Sequence, residues 1–317
     1  MHDDQLDISA DVARALIGRQ FPQWASLPVR AVPATGTVNA IFLIGDRYAA
    51  RFPLSAGDPA AVRRSLEAEA AAAAELAGRT RFPTPEPAGL GEPGDGYPLP
   101  WSVQTWLPGS VATDAGADPA ESVPFAGDLA EFIAGVRAIP ARGRTFRGGG
   151  RGGADLRVHD AWLETCFARS QGMLDVPRLR AMWAALRELP RGDAPDVMNH
   201  GDLMPGNVLV RRPDRPTGGR LADARPAELR LAGVLDVGGL AAADPALDLV
   251  GAWHLLEAGP RAALREALGS GDLEWARGRA WAFQQSMGLV WYYADSNPVM
   301  AAIGRRTLDR LLAEEPA

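Results

Sequence analysis

Asn199-His200-Gly201-Asp202-Leu203-Met204-Pro205-Gly206-Asn207-Val208-Leu209-Val210, with Gly233-Val234-Leu235-Asp236-Val237-Gly238 after it, carries the strongest signal in this chain. Asp202 and Asn207 stand five residues apart, and Asn207 runs directly into Val208-Leu209-Val210, which reads as a short buried strand. A second apolar segment, Leu229-Arg230-Leu231-Ala232-Gly233-Val234-Leu235, ends at Asp236. A two-stranded ribbon built from these segments would deliver Asn207 and Asp236 to one place. A carboxylate that can accept a proton, beside an amide and a second carboxylate that can hold a hard cation through oxygen, is the set that phosphoryl transfer to a hydroxyl requires.

An Asp-x4-Asn by itself is a weak signal: with 24 Asp and four Asn in 317 residues, roughly 0.3 occurrences arise by chance. The ensemble is much more specific. It has His-Gly before the Asp, a strand after the Asn, a strand ending in Asp-x-Gly, and then Asp244-Pro245-Ala246-Leu247-Asp248-Leu249.

With these residues in place, the segment 199–252 resembles the aminoglycoside phosphotransferase family, a branch of the protein-kinase-like fold that phosphorylates small molecules. In that family His-Gly-Asp-x4-Asn stands where protein kinases carry His-Arg-Asp. The resemblance extends to Thr35-Gly36-Thr37-Val38-Asn39-Ala40, Arg51-Phe52-Pro53, the helix with Glu69, Gly96-Tyr97-Pro98-Leu99-Pro100-Trp101-Ser102-Val103, and the tail from Ala280-Trp281 onward. It implies an α+β, bilobal protein-kinase-like fold, with a small N-terminal antiparallel-sheet lobe over residues 1–105 that binds nucleotide. A larger, mainly helical lobe over residues 106–317 would carry catalysis and the acceptor. The resemblance further implies that Asp202 is the catalytic base, that Asn207 and Asp236 hold Mg²⁺, and that ATP or GTP is the phosphoryl donor. The implied acceptor is a hydroxyl of an aminoglycoside or another antibiotic. Related kinases act on choline, homoserine, sugars, macrolides and peptide antibiotics, so a metabolite kinase is an alternative, and a non-catalytic nucleotide-binding interaction protein of the same fold is another.

Composition narrows the partners. The chain is 47% hydrophobic and 23% charged, ordinary for a soluble globular protein. No stretch approaches the ~18 apolar residues of a membrane span, and the start Met1-His2-Asp3-Asp4 lacks the basic segment of a signal peptide, so a cytoplasmic protein is expected. The formal charge of −6 argues against nucleic acid as a partner and suits a small, hydroxylated, cationic substrate. Cys166, the one cysteine, excludes an intrachain disulfide and reads as buried filler; the four scattered histidines show no zinc spacing. All 33 basic residues are arginine. The phosphate-gripping strand lysine of a kinase therefore cannot exist here.

In the N-terminal part, Ser9 caps a helix that places Val12, Leu16 and Ile17 on one face. Strands are expected at Val29 to Val32, Ala40 to Ile44 and Arg47 to Phe52, with a Gly45-Asp46 turn between the last two. Thr35, Gly36, Thr37 and Asn39 form the expected nucleotide-covering loop. The next helix is capped by Asp58, has Pro59 at its first position and is stopped by Gly78. Val62, Leu66, Glu69, Ala73 and Leu76 recur along it at three- and four-residue steps, so Glu69 lies on the apolar stripe and Glu67 points elsewhere. A carboxylate on a buried stripe wants a cation, and Arg51 on the preceding strand is the candidate. The pair would occupy the positions of the kinase strand lysine and helix glutamate.

Pro83 to Pro100 reads as an extended connection, and Trp101 to Leu107 as a strand leading to an interlobe hinge at Pro108-Gly109. Adenine is expected against backbone groups near Gln104 to Leu107, while core packing is the commoner fate of Trp101 and Trp106. Beyond residue 120 the pattern is mainly helical, interrupted by Arg142 to Gly153, which reads as a mobile, solvated loop, and by a loop from Pro213 to Glu228. Asp244 reads as a helix cap, Asp248 as structural support, and His200 as a ring held by the catalytic loop's backbone. Glu257, Trp291, Tyr292, Tyr293 and Asp295 are the expected lining of the acceptor pocket.

Overall fold

The computed structural model describes residues 6–32, 38–114, 116–148, 150–212 and 228–314. The chain divides into two compact units, Met1–Ala77 with Pro83–Pro108, and Gly78–Phe82 with Gly109–Ala317. Among the described residues, no helix is long and apolar enough to cross a membrane.

The first unit holds helix α1 (Ala10–Gln20), strands β1 (Val29–Val32), β2 (Asn39–Ile44) and β3 (Tyr48–Pro53), helix α2 (Pro59–Leu76), and strands β4 (Pro87–Gly91) and β5 (Trp101–Thr105). Its strands form one antiparallel sheet in the order β1-β2-β3-β5-β4. The expected turn is present: Ile44 pairs with Tyr48, and Gly45 between them takes φ 61°, which glycine adopts without a Cβ penalty. Both helices start where the caps predict. The Ser9 hydroxyl accepts from Val12 N–H, and the Asp58 carboxylate accepts from the N–H groups of Ala60 and Ala61.

The sheet's inner face is aromatic. Phe52 stacks on Trp101 with centroids 4.6 Å apart and meets Phe42 and Tyr97 edge-on, and all four are buried. A Cβ on Gly91 would lie 2.0 Å from the Trp101 ring, so only glycine lets β4 lie against it. Truncating such a ring to alanine costs roughly 3–5 kcal/mol. Trp101 is thus a core residue and is not available to a base.

The second unit contains β6 (Ser110–Val111), α3 (Val123–Arg137), α4 (Asp160–Arg169), α5 (Val176–Leu186), β7 (Val197–Asn199), β8 (Val208–Arg211), β9 (Arg230–Val234), β10 (Ala241–Ala243), α6 (Val250–Leu255), α7 (Ala258–Leu268), α8 (Asp272–Tyr292) and α9 (Pro298–Ala313). Strands β6, β8 and β9 form an antiparallel sheet in that order, and β7 pairs with β10. Helix α8 is buried almost continuously from Ala280 to Val290, as befits a central helix that is apolar on nearly every face. Gly304 of α9 lets that helix approach closely, since a Cβ there would stand 2.9 Å from the Leu289 Cβ.

A buried ionic hub ties this unit together. Arg277, whose side chain is 1% exposed, gives its Nε and Nη2 to Asp244 Oδ2, each at 2.7 Å. Its Nη1 reaches the Leu189 and Pro190 carbonyls, and its Nη2 the Gly153 and Ala154 carbonyls, each at 3.1 Å. The Trp281 indole donates to the same Asp244 oxygen at 3.0 Å, and Asp244 Oδ1 accepts from Ala246 N–H. Asp244 is therefore a cap and more than a cap.

The hub corrects one expectation. The Arg142 to Gly153 stretch does not end as a solvated loop: the Gly152 carbonyl accepts from Asp244 N–H at 2.9 Å, and Gly153 is held by Arg277. Gly152 has φ 103° and a Cβ there would lie 2.8 Å from the Ala243 Cβ, so its role is close approach to another segment. Thr35, Gly36 and Thr37 lie outside the described residues, as does nearly all of the Pro213 to Glu228 loop; Asn39 opens β2 opposite Pro53.

Candidate active site

The ribbon expected from the sequence is the antiparallel pair β8-β9. Val208 faces Val234, and Leu235 N–H donates to the Asn207 carbonyl at 2.7 Å, which sets the end of β9 against the end of the Asp202–Asn207 loop. Asp236 follows in the left-handed region, at φ 54° and ψ 50°. Aspartate tolerates that region better than most residues, and the turn takes its exposed carboxylate off the line of the strand.

Asp202 is held on both oxygens. The Asn207 amide donates to its Oδ2 at 2.9 Å and to its backbone carbonyl at 3.0 Å. Gln285 Nε2 donates to Oδ1 at 2.7 Å, and Arg151 Nη2 reaches Oδ1 and the Gly201 carbonyl, both at 3.2 Å. A carboxylate has about four acceptor directions. Its partners here fill both on Oδ1 and one on Oδ2.

The loop before Asp202 is clamped from below by Asp248, which is fully buried and accepts from His200 N–H at 2.7 Å and Gly201 N–H at 2.8 Å. Burial raises the Asp248 pKa, against the opposing pull of His200 and the two amides. His200 accepts from Asp202 N–H on Nδ1 at 3.2 Å, so its proton sits on Nε2, which donates to the Leu235 carbonyl at 2.9 Å. The ring thereby joins the Asp202–Asn207 loop to the end of β9, in the structural role expected of it.

The donor set can be tested against magnesium. The Asn207 amide nitrogen is taken by Asp202, which leaves its oxygen as the atom available to a cation; Asp236 offers a carboxylate. Among the described residues no cluster of three or more His, Cys, Asp or Glu could enclose a metal. An amide and a carboxylate fit an ion that keeps water and takes phosphate oxygens, as Mg²⁺ does.

In the first unit, Arg51 Nη1 stands 3.6 Å from Glu69 Oε2, and Glu69 also accepts from Ser65 Oγ. Glu67 instead faces Arg63, at 3.9 Å. Leu66, Ala73 and Leu76 are the buried residues of α2, in the register the helical period requires. Gln104 pairs with Ala49 and Pro87 inside the sheet. Thr105 N–H donates to the Glu86 carbonyl and Trp106 N–H to the Arg47 carbonyl, so those two donors are committed within the unit.

A profile of the phosphotransferase enzyme family matches residues 30–281. The chain belongs to that family. It is a small-molecule kinase of α+β architecture, and no curated protein sequence matches it. Its fold is that of the aminoglycoside 2'-phosphotransferase-IIIa GDP complex, with a TM-score of 0.65 at 17% identity, over 96% of this chain and 99% of that one. The apoenzyme of macrolide 2'-phosphotransferase MphH from Brachybacterium faecium is similar at a TM-score of 0.57 and 20% identity, over 97% and 100% of the two chains. The streptomycin-ATP-APH(2")-IIa ternary complex is similar at 0.56 and 16%, over 98% of each.

Two residues of this phosphotransferase's site escape a reading of the sequence. Arg151 lies in the Gly/Arg-rich stretch that reads as solvated, and Gln285 is one of two adjacent glutamines inside the mostly apolar run from Ala280 to Val290 of α8. The latter was the available signal, since a buried amide needs a partner. Of the expected acceptor residues, Glu257 is spent elsewhere: it accepts from Arg310 Nε at 2.8 Å and Nη2 at 2.6 Å. Tyr293 packs with Met300 against Met204, Leu289 and Ile303, two residues beyond Asp202. Trp291 and Tyr292 form an aromatic group with Trp162 at the end of α8, and Asp295 is exposed.

Proposed function

We propose that this kinase transfers the γ-phosphoryl group of a nucleoside triphosphate, ATP or GTP, to a hydroxyl of a small antibiotic-like molecule, with Mg²⁺ as cofactor. The observation that carries the reading is the state of Asp202: three side chains fix its carboxylate, and one acceptor direction remains on Oδ2. A hydroxyl placed there is oriented for in-line attack, and its proton passes to Asp202 as the new P–O bond forms and the bond from the γ-phosphorus to the departing nucleoside diphosphate breaks. Asn207 through its oxygen and Asp236 through its carboxylate hold Mg²⁺, which when bound offsets the charge of the phosphates.

On the first unit, Arg51 is the phosphate-gripping cation and Glu69 its anchor. Its planar fork grips oxygens in a different geometry from lysine's ammonium. Of the backbone groups after β5, the Leu107 N–H and the neighbouring carbonyls are left to recognise the base, since the Thr105 and Trp106 N–H groups are committed.

The test is Mg²⁺-dependent turnover of ATP and GTP against kanamycin, streptomycin and a macrolide, with Asp202→Asn as the control. Transfer to one of these acceptors that Asp202→Asn abolishes is the expected result. Nucleotide binding without transfer to any hydroxylated acceptor would favour a non-catalytic role and overturn this reading.

A further inference from the structure

Behind Asp202 runs a chain of hydrogen bonds that no step of the reaction described so far uses. Gln285 Nε2 lies 2.7 Å from Asp202 Oδ1, Gln285 Oε1 lies 3.2 Å from His254 Nε2, and His254 Nδ1 lies 2.9 Å from Thr307 Oγ1. His254 comes from α6, Gln285 from α8 and Thr307 from α9, so three helices meet in this line. His254 and Thr307 are both fully buried.

The polarity of the chain can be derived link by link. An ionised carboxylate only accepts, so the Gln285 amide must turn its NH₂ toward Asp202 and its oxygen toward His254. That oxygen also only accepts, so His254 must carry a proton on Nε2. Burial is the largest influence on the His254 pKa and pulls it from 6.5 to about 4, so the ring is neutral at pH 7 and Nδ1 holds a lone pair. The single Thr307 hydroxyl proton then belongs to Nδ1. The Ile303 carbonyl, also 2.9 Å from Thr307 Oγ1, is the alternative acceptor, but using it would set two lone pairs against each other across the Thr307–His254 contact.

We propose that Thr307, His254 and Gln285 form a one-way hydrogen-bond relay, every donor pointing toward Asp202, that fixes the orientation of its carboxylate for the acceptor hydroxyl. Gln285 is the positioning residue that touches the base, and His254 is the positioning residue that decides which way the Gln285 amide stands. The inference rests on Asp202 being the base. A free Gln285 amide would present its oxygen to Oδ1 in the flipped state, which repels the carboxylate and lets it rotate. His254 opposes that state: with the NH₂ facing it, the ring would have to move its proton to Nδ1 and Thr307 would have to turn its hydroxyl to the Ile303 carbonyl.

Two measurements on the full-length protein test this. In the first, two-bond ¹H–¹⁵N correlation spectra at pH 7, with His254 assigned by loss of its signals in His254→Gln, are expected to show the neutral Nε2–H tautomer. An Nδ1–H tautomer or an imidazolium would overturn the relay whatever the enzyme's acceptor is. In the second, release of γ-phosphate from ATP or GTP to water is followed, which needs no identified acceptor. Gln285→Leu and His254→Leu are each expected to lower kcat by about tenfold to a hundredfold, the size that follows when a reacting group is misplaced. Nucleotide KM should stay within about twofold, and the double variant should be no slower than Gln285→Leu alone. His254→Gln, whose amide NH₂ can replace the Nε2–H, should recover most of the rate. Multiplicative effects in the double variant, or wild-type kcat in both single variants beside an inactive Asp202→Asn, would overturn the relay while leaving the base in place. A fully active Asp202→Asn would instead sink the reading of the base itself.

Discussion

Replacing Arg277 with methionine should be among the most destabilising single changes available to this protein that leave every reacting group untouched. The substitution keeps an unbranched apolar stem of similar reach and removes the guanidinium, so Asp244, 2% exposed, loses its buried cation. Breaking one partner out of a buried ion pair costs about 3–5 kcal/mol because the other charge is left uncompensated. The Gly153 carbonyl loses its buried donor as well, a further loss of about 1 kcal/mol or more. The Leu189, Pro190 and Ala154 bonds are part-buried, and water can replace them. The retained Trp281 and Ala246 donors to Asp244, and the Arg191 guanidinium 3.8 Å from its Oδ1, offset part of the loss, which leaves a total of about 4 kcal/mol. For a unit of this size that corresponds to a fall in Tm of roughly 8–16 °C. Circular dichroism melts and urea titrations at pH 7, without nucleotide, would measure it. The double variant Asp244→Asn/Arg277→Met should be less destabilised than the sum of its singles by about 1 kcal/mol or more. A Tm within about 3 °C of wild type, or strict additivity, would refute the argument that this pair organises the unit.

Asp202→Asn should abolish phosphoryl transfer while nucleotide affinity, read by thermal shift, changes by less than about threefold, since the base touches the acceptor and not the nucleotide. Asp236→Ala should lose Mg²⁺-dependent nucleotide binding together with turnover, because the proposed function makes its carboxylate a direct oxygen ligand; isothermal titration with and without Mg²⁺ checks it. Glu69→Gln should raise nucleotide KM by freeing Arg51, whereas Glu67→Gln, whose carboxylate faces Arg63 at 3.9 Å, should change it little; the reverse order in steady-state kinetics would place the pair wrongly. Acidification should destabilise the fold through His254. Its folded pKa of about 4 lies below the ordinary 6.5, so the unfolded chain binds the proton more tightly. That contribution to stability is full above pH 6.5 and is lost as pH falls toward 4, by about 3 kcal/mol, and His254→Gln should flatten this part of a denaturation-versus-pH profile.

What the sequence made legible is what short-range pattern determines. The Asp202 to Asn207 spacing, the apolar runs on either side of it and the helical register of Glu69 are local periodicities, and the β8-β9 ribbon and the side of α2 that meets Arg51 follow from them. The rest depends on packing between distant segments. Arg151 meets Asp202 across 51 residues and Gln285 meets it across 83, and neither separation leaves a periodic trace. Glycines misled the reading of the first: Gly152 serves close approach to β10, which composition cannot tell from flexibility. Glu257 misled for a similar reason, its partner Arg310 lying 53 residues away on another helix.

The arginine at position 51 also bears on how this site can be addressed chemically. The sequence contains no lysine, so apart from the N-terminal amine the chain offers no primary amine at all. Acylating nucleotide probes, aldehydes and activated esters, which capture kinases by bonding to the strand lysine, have no nucleophile to meet here, since a guanidinium stays protonated. The one thiol, Cys166, is buried, and burial raises its pKa to about 11, which withholds the thiolate from alkylating reagents. Among kinases in a mixed extract, this one should remain unlabelled by amine-directed affinity reagents while still binding the nucleotide they carry. Reversible ligands shaped to the guanidinium fork are therefore the practical handle on it.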